Sequence, residues 1–374
     1  MLLTGFQATR PRFEFTQDAA LAWVAEAHAE AEAALKHLDA RARDRFEVSI
    51  RRVLRRVACQ PDKIAKRGHS VPDIGAAHWH DGLLYDLRRE PRGRGSAVRT
   101  TLFAEIVDAY FEAEYSAEPA LPDDLIHVTC TGYASPNGAQ KLVAKRGWGG
   151  TTRVTNAYQM GCYAAVPALR IASGFVAMGS RRVDLVHTEL CSLHFHPEDH
   201  SLEQLVVQSL FADGLIRYSM TPDRGEPGLR VRAVHEQVLA DSADAMTWIA
   251  GDAGMQMTLS REVPQRIAKS VRAFVLELFA RGGVGLERLS SSLFAVHPGG
   301  PKIIDQIQDV LELAEPQLEE SRRVLFDYGN MSSATLPHIW MRLLADSRVP
   351  AGTIIPSLAF GPGLTMCGAL LEKR

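Results

Sequence analysis

Apolar and polar positions divide the chain into two textures. From Gln17 to Val57 alanine and other apolar residues recur among Glu, Lys and Arg, a helical pattern, and Thr16 is placed to cap it. The run LRREPRGRGSAVR, Leu87 to Arg99, is polar and glycine-containing and predicts an exposed loop before a helix over Val98 to Tyr115. From Leu125 onward short apolar runs take over. LIHVTCTGY predicts a buried strand, RVTNAYQMGCYAAVPALRIASGFV a strand entering a helix, and RRVDLVHTEL another strand. Pro222 to Pro227 marks a break. Beyond it the pattern predicts a helix over Val263 to Arg281, a strand LFAVH, helices from Pro301 and near Glu315 to Leu325, and a hairpin-like pair in TIIPSLAFGPGLTMCGALLE. Strands alternating with helices predict an α/β layered core, with residues 1–221 and 222–374 as its two parts.

Composition narrows the functional classes. With 374 residues, 46% of them hydrophobic, the chain has material for a large core and is not a disordered segment. Its 42 basic and 44 acidic residues give a net charge of -2, so no global basic field gathers nucleic acid. The opening MLLTGFQATRPRFEF lacks the form of a secretory leader, and the most apolar stretch, Cys162 to Met178, is short for a bilayer and carries Arg170. Five scattered cysteines form neither a C-x-x-C pair nor a disulfide framework. These features predict a cytoplasmic protein with neither a nucleic-acid partner nor a membrane span.

Chemistry concentrates at three places. Cys162 follows Gly161 where a strand turns into an apolar helix, and a helix N-terminus favours the thiolate. Taken alone it reads also as a buried structural thiol. His297 ends an apolar strand and precedes PGGP, at the carboxyl end of a strand where open α/β folds bind ligands. Asn330 lies in DYGNMSSAT, its amide suited to donate to an oxygen. Arg51, Arg52, Arg55 and Arg56 read either as a solvated helix face or as a phosphate grip.

The three together, with His297 135 residues beyond Cys162 and Asn330 33 beyond that, sit in telling phrases. These are GC-x-A at Gly161 to Ala164, AVHPGGPKIIDQ at Ala295 to Gln306, YGNMSSA at Tyr328 to Ala334 and FGPGLT at Phe360 to Thr365. VVQSLFADG at Val206 to Gly214 and TCTGYASPNGA at Thr129 to Ala139 add to them. In these words the sequence resembles the chalcone and stilbene synthase family, the type III polyketide synthases, in its bacterial form.

The resemblance implies a thiolase-like fold: two similar βαβαβ halves in an α-β-α-β-α arrangement, the first (1–221) carrying the cysteine and the second (222–374) the histidine and asparagine. It implies an acyltransferase in which Cys162 holds an acyl starter and His297 and Asn330 donate hydrogen bonds to thioester and enolate oxygens, with the histidine also able to keep the cysteine ionised. Malonyl thioester would extend the starter by decarboxylative condensation, and the product would close to a pyrone or small phenolic ring. No metal or organic cofactor is implied, acyl-CoA and malonyl-CoA being substrates, and the expected assembly is a homodimer.

Further positions follow from the same likeness. Phe211 and Met257 match the aromatic pair at the cavity mouth, Ser332 a cavity serine and Gly363 the glycine of a C-terminal loop. Cys130, Cys191, His194 and Trp248 stand where plant members have threonines or a glycine, and with Thr131 they predict a smaller cavity and a small starter. Ser135 lies in the loop that closes the partner's cavity in a dimer. Arg55, Arg56, Lys63, Lys66 and Arg67 fall where members hold coenzyme A phosphates, and the same patch suits an acidic acyl carrier protein. A single-condensation ketoacyl synthase lacks the HPGGP and GNMSSA phrases, and a catalytically silent subunit has no need to retain all three central residues. His187, Cys191, His194, His196 and His200 are dense enough to raise a metal site, but their spacing is not that of zinc ligands.

Overall fold

The computed structural model describes residues 1–75, 79–117 and 120–374. Its strands are β1 (Leu2–Thr9), β2 (Phe13–Thr16), β3 (Lys66–His69), β4 (Asp124–Thr129), β5 (Arg153–Tyr158), β6 (Val183–Glu189), β7 (Gly214–Thr221), β8 (Leu229–Val238), β9 (Met246–Gly251), β10 (Gly254–Leu259), β11 (Ala295–Val296), β12 (Ile354–Gly361) and β13 (Thr365–Lys373). The helices are α1 (Gln17–Lys36), α2 (Ala40–Val57), α3 (Ser96–Glu114), α4 (Gly138–Lys145), α5 (Ala165–Ala177), α6 (Leu202–Leu210), α7 (Val263–Arg281), α8 (Pro301–Leu311), α9 (Glu319–Tyr328) and α10 (Thr335–Ala345). Among the described residues no helix is long and apolar enough to cross a membrane.

Local chemistry sets the helix starts. Thr16 Oγ1 accepts the Ala19 N–H at 3.3 Å and Asp39 the Ala42 N–H at 2.7 Å, while Asn137 and Gln140 cap α4 reciprocally. Strands β4 and β6 are buried at every position and pair in parallel, which is why no polar face alternates along them and apolar pairs, Leu125-Ile126 and Leu185-Val186, mark their middles.

Nine strands form one sheet in the order β11-β12-β13-β8-β1-β7-β6-β4-β5. Read outward from the middle, β1, β7, β6 and β4 repeat the senses of β8, β13, β12 and β11: antiparallel, antiparallel, parallel. The chain therefore contains two similar halves, joined where Leu2 and Leu3 of β1 pair with Arg230 and Leu229 of β8. Helix α5 packs against β4, β6 and β7 of the first half and against β8 and β13 of the second. With α10 it fills the central core, where Ala165, Val166, Leu169, Leu336, Ile339 and Trp340 are buried. Helices α1 to α3 and α7 to α8 cover the outer faces through two further clusters. The result is the expected thiolase-like α/β fold, its two half-sheets continuous through β1 and β8.

Three readings needed correction. The opening residues, which carry no secretory pattern, hold β1, the strand at the join. The run from Leu87 to Arg99 is not simply exposed, because Arg99 is buried and its guanidinium is spent on the carbonyls of Arg92, Arg94 and Leu193. Instead of one helix near Glu315 to Leu325, a short 3-10 turn at Glu315–Leu318 precedes α9.

Candidate active site

Cys162 sits in a 3-10 turn, Gly161–Tyr163, that leads β5 into α5. Gly161 makes the turn possible. Its φ is +77°, and a Cβ there would lie 2.7 Å from Pro362 Cδ. The thiol is buried and stands 3.7 Å from the Ser332 hydroxyl, to which it donates. Ser332 comes from a matching 3-10 turn, Ser332–Ala334, at the head of α10, so equivalent turns of the two halves face each other.

Asn330 is tied to this turn. Its Oδ1 accepts the Ser332 N–H at 2.9 Å, and its backbone bonds to Leu210 and Ala212 at 2.9 Å on either side of Phe211. With the amide oxygen occupied, its NH2 end remains to donate. His297 follows β11 and donates its backbone N–H to Leu358 of β12 at 2.8 Å. Strand β12 ends at Gly361, where a Cβ would lie 3.6 Å from the Cys162 nitrogen. The His297 ring is buried, and neither nitrogen has a hydrogen-bond partner.

Desolvation dominates the electrostatics of Cys162 and His297. Burial pushes the Cys162 thiol up to about 12 and outweighs its place at a helix start. The same desolvation pushes His297 down to about 3. Desolvation thus favours the neutral form of both side chains.

The cavity beside Cys162 is lined by Cys130, Thr131, Cys191, Phe211, Trp248, Met257, Ser332 and Pro362 and is small, with room for a single water. A larger chamber shares the Cys191, Phe211, Trp248 and Met257 walls and continues past His194 to Trp23 and Val24 of α1. Trp248 on β9 donates its indole N–H to the Cys130 carbonyl at 2.6 Å. His194 donates Nε2–H to the Thr131 carbonyl at 2.7 Å and accepts the Met255 N–H on Nδ1 at 3.0 Å, which fixes it as a neutral tautomer.

Gly363 does not line this cavity. It turns the β12–β13 loop at φ +111°, and it is Pro362 that faces Cys162. Ser135 is exposed, away from the chain's own cavity walls. Arg55 and Arg56 are exposed on the last turn of α2, and Lys63 is exposed beside Asp62. Lys66 is paired with Glu14 at 2.8 Å. Arg67 departs from the phosphate reading, because its guanidinium bonds to Gln17, Gln208 and Phe211 at 2.8 Å each. The histidine-rich segment is also spent internally: His187 bonds to Ser333 and Tyr218, His196 to the Met255 carbonyl, and His200 to His28 and Glu32. Among the described residues no three His, Cys, Asp or Glu converge as metal ligands.

Sequence reasoning missed Glu189. It ends β6 fully buried, and the available signal was a carboxylate closing a strand of otherwise buried type.

The N-terminal domain model of the chalcone and stilbene synthases matches residues 119–218, and the C-terminal domain model matches residues 230–373. The chain belongs to the chalcone and stilbene synthase family. Type III polyketide synthase C of Arabidopsis thaliana is 32% identical over 258 residues, 67% of each chain. Type III polyketide synthase A of the same plant is 30% identical over 258 residues, 67% of this chain and 65% of that one. The match thus spans about two thirds of these relatives' length. The fold of PKS-I from the brown alga Ectocarpus siliculosus superposes with a TM-score of 0.82 at 26% identity, covering 100% of this chain and 98% of that one. The 1,3,6,8-tetrahydroxynaphthalene synthase of Streptomyces coelicolor gives a TM-score of 0.80 at 22% identity over 100% and 99% of the chains, a likeness of fold. By family this type III polyketide synthase is a condensing acyltransferase.

Proposed function

We propose that the protein loads an acyl starter from coenzyme A onto Cys162, extends it with malonyl units by decarboxylative condensation and releases a pyrone or small phenolic. The observation that carries this reading is the buried Cys162 thiol opening on a small, largely apolar cavity, with Asn330 holding the adjoining turn. In this reading residues 1–221 supply the nucleophile and 222–374 supply His297 and Asn330. Their N–H groups stabilise the thioester oxygen and then the enolate oxygen, and prearranged donors in a dry site do so without reorganisation. Each step exchanges a thioester or releases carbon dioxide, so the balance requires no metal or redox group.

Cys130, Thr131, Cys191, His194, Trp248, Met257, Phe211 and Ser332 shape the space available to the chain. The pinned Trp248 and His194 favour a small starter, with the second chamber available to extended intermediates. Arg55, Arg56 and Lys63, exposed on the surface, serve in this reading to meet coenzyme A phosphates or a carrier protein's acidic face. The pairing of β5 along one edge only, at the end of the sheet, together with the exposed loop carrying Tyr133 and Ser135, supports a homodimer. Five unpaired thiols fit a reducing cytoplasm.

Intact-protein mass spectrometry tests the reading. Wild type and Cys162→Ala are incubated with a panel of acyl-coenzyme A starters and malonyl-coenzyme A, and the released molecules are collected. An acyl adduct confined to wild type, with cyclised multi-unit products, is expected. Normal products from folded Cys162→Ala would end it.

A further inference from the structure

Behind the larger chamber, four hydrogen bonds join α1, α6 and the segment from Phe195 to His200. His28 Nδ1 lies 2.7 Å from His200 Nδ1, His28 Nε2 lies 2.6 Å from Gln208 Oε1, and His200 Nε2 lies 3.2 Å from Glu32 Oε2. Gln208 donates its amide N–H to the His196 carbonyl at 2.8 Å, which fixes Oε1 as the end that faces His28. The other Glu32 oxygen meets Lys36 Nζ at 2.5 Å, so the carboxylate is an ionised acceptor. Both ends of the histidine pair thus meet acceptors.

Each of three contacts needs an N–H from the rings: one toward Gln208, one between the two Nδ1 atoms and one toward Glu32. Two neutral imidazoles own only two. If His200 spends its N–H on His28, its Nε2 lone pair faces the Glu32 carboxylate. If it spends it on Glu32, two lone pairs meet at 2.7 Å. One additional proton satisfies all three contacts. It belongs on the His200 side, because His28 is fully buried whereas His200 is partly exposed and lies beside Glu32.

The elements joined here also wall the chamber. Trp23 and Val24 come from α1, Val207 and Gln208 from α6, and Phe195 and His196 from the segment that carries His200.

We propose that His28 and His200 share one proton beyond the two of neutral rings, and that this proton clamps the far wall of the larger chamber, which loosens as pH rises. The clamp is a property of the folded chain and does not depend on the acyl-transfer reading. Above about pH 6.5 unfolded histidines are mostly neutral, so the native pair binds the more protons and its contribution to stability falls as pH rises. The partial exposure of His200 gives the proton a way to solvent. The charged groups facing the pair are Glu32 and Lys36 from α1 and Glu198 and Asp199 from the segment before α6. Helix α6 brings the uncharged Gln208, and α2 the Phe46 ring, 5.0 Å from the His200 ring.

Hydrogen–deuterium exchange of the whole protein tests the clamp, read by mass spectrometry from pH 6 to 9 and corrected for the intrinsic pH dependence of amide exchange. Peptides from α1 and α6 are expected to exchange about tenfold faster or more at pH 9 than at pH 6, relative to those of α7. Glu32→Gln is the discriminating variant, because its amide can donate the missing N–H to a neutral His200. It is expected to keep the pH 6 protection of α1 and α6 up to pH 9, whereas a carboxylate of merely structural value would leave the variant less protected at every pH. His200→Gln, which has no ring to titrate, is expected to exchange independently of pH and decides the matter if Glu32→Gln does not fold. A wild-type profile that is flat, that α7 shares, or that Glu32→Gln reproduces would overturn the clamp while leaving Cys162 as acyl carrier.

Discussion

Trp248 and Cys130 are joined by an indole N–H to carbonyl bond of 2.6 Å, which fixes the largest side chain in the cavity wall against the residue that also contacts Ser332. The bond makes Trp248 a partition between the small space beside Cys162 and the larger chamber toward α1. Trp248→Gly should merge the two spaces and shift the product distribution, read by liquid chromatography and mass spectrometry, toward longer chains or bulkier starters. It should also cost about 2–4 kcal/mol of stability through the lost packing and the orphaned carbonyl. An unchanged product profile from a folded variant would show that chain length is set elsewhere.

His297→Ala and Asn330→Ala should separate loading from extension. Each removes a donor to a developing oxyanion, so malonyl decarboxylation is expected to fall about 100-fold or more. An acyl adduct on Cys162 should still be seen by intact mass. Equal loss of both steps would mean that these residues serve loading as well.

Arg55→Glu and Arg56→Glu should weaken coenzyme A substrates without touching the chemistry. Both side chains are exposed, so each reversal is worth about 1 kcal/mol, or roughly fivefold in KM, with kcat near wild type and the effect fading at high salt. A change in kcat with KM constant would assign the patch a different role.

Stability should fall in mild acid. Burial holds His28, His69, His127, His187, His194, His297 and His338 down at about 3 to 4, against about 6.5 for an unfolded histidine. Between these values the unfolded chain binds the protons and the native state does not. Their contribution is therefore complete above about pH 6.5 and is lost as pH falls toward 4, by up to about 1.4 kcal/mol per unit for each ring. Asp213, raised to about 6 by burial, works the other way over part of that range. Urea midpoints from pH 8 to 4.5 should drop steeply below 6.5, and a flat profile would mean that the rings are charged in the native protein.

Legibility in the sequence followed the physics of each element. The buried parallel strands β4 and β6 announced themselves through their apolar pairs, and α7 as a periodic helix, because burial on both faces or along one stripe leaves its own trace. Cys162, Asn330 and Ser332 were found through phrases whose turns the structure places together. Strand β1 was not legible, since Leu2 and Leu3 are followed by alternately exposed positions that reveal nothing of the two partners meeting there. Glu189 was missed because the groups that bind it, Cys130, Thr131 and Ser333, come from distant parts of the chain. Arg67 looked like a free cation in DKIAKRG, and only the fold shows its guanidinium turned inward to Gln17, Gln208 and Phe211.

Strand β1 also governs the order in which the molecule is completed. Leu2 pairs with Thr221 on one side and with Arg230 on the other, so its neighbours are made more than two hundred residues later. During synthesis Leu2 and Leu3 leave the ribosome ahead of α1 to α6 and wait for the strands on either side of them. Closing so long a loop is a slow, non-local event. The sheet's middle is thus among its last parts to form, and a nascent chain halted before Thr221 would hold both leucines without a strand to receive them.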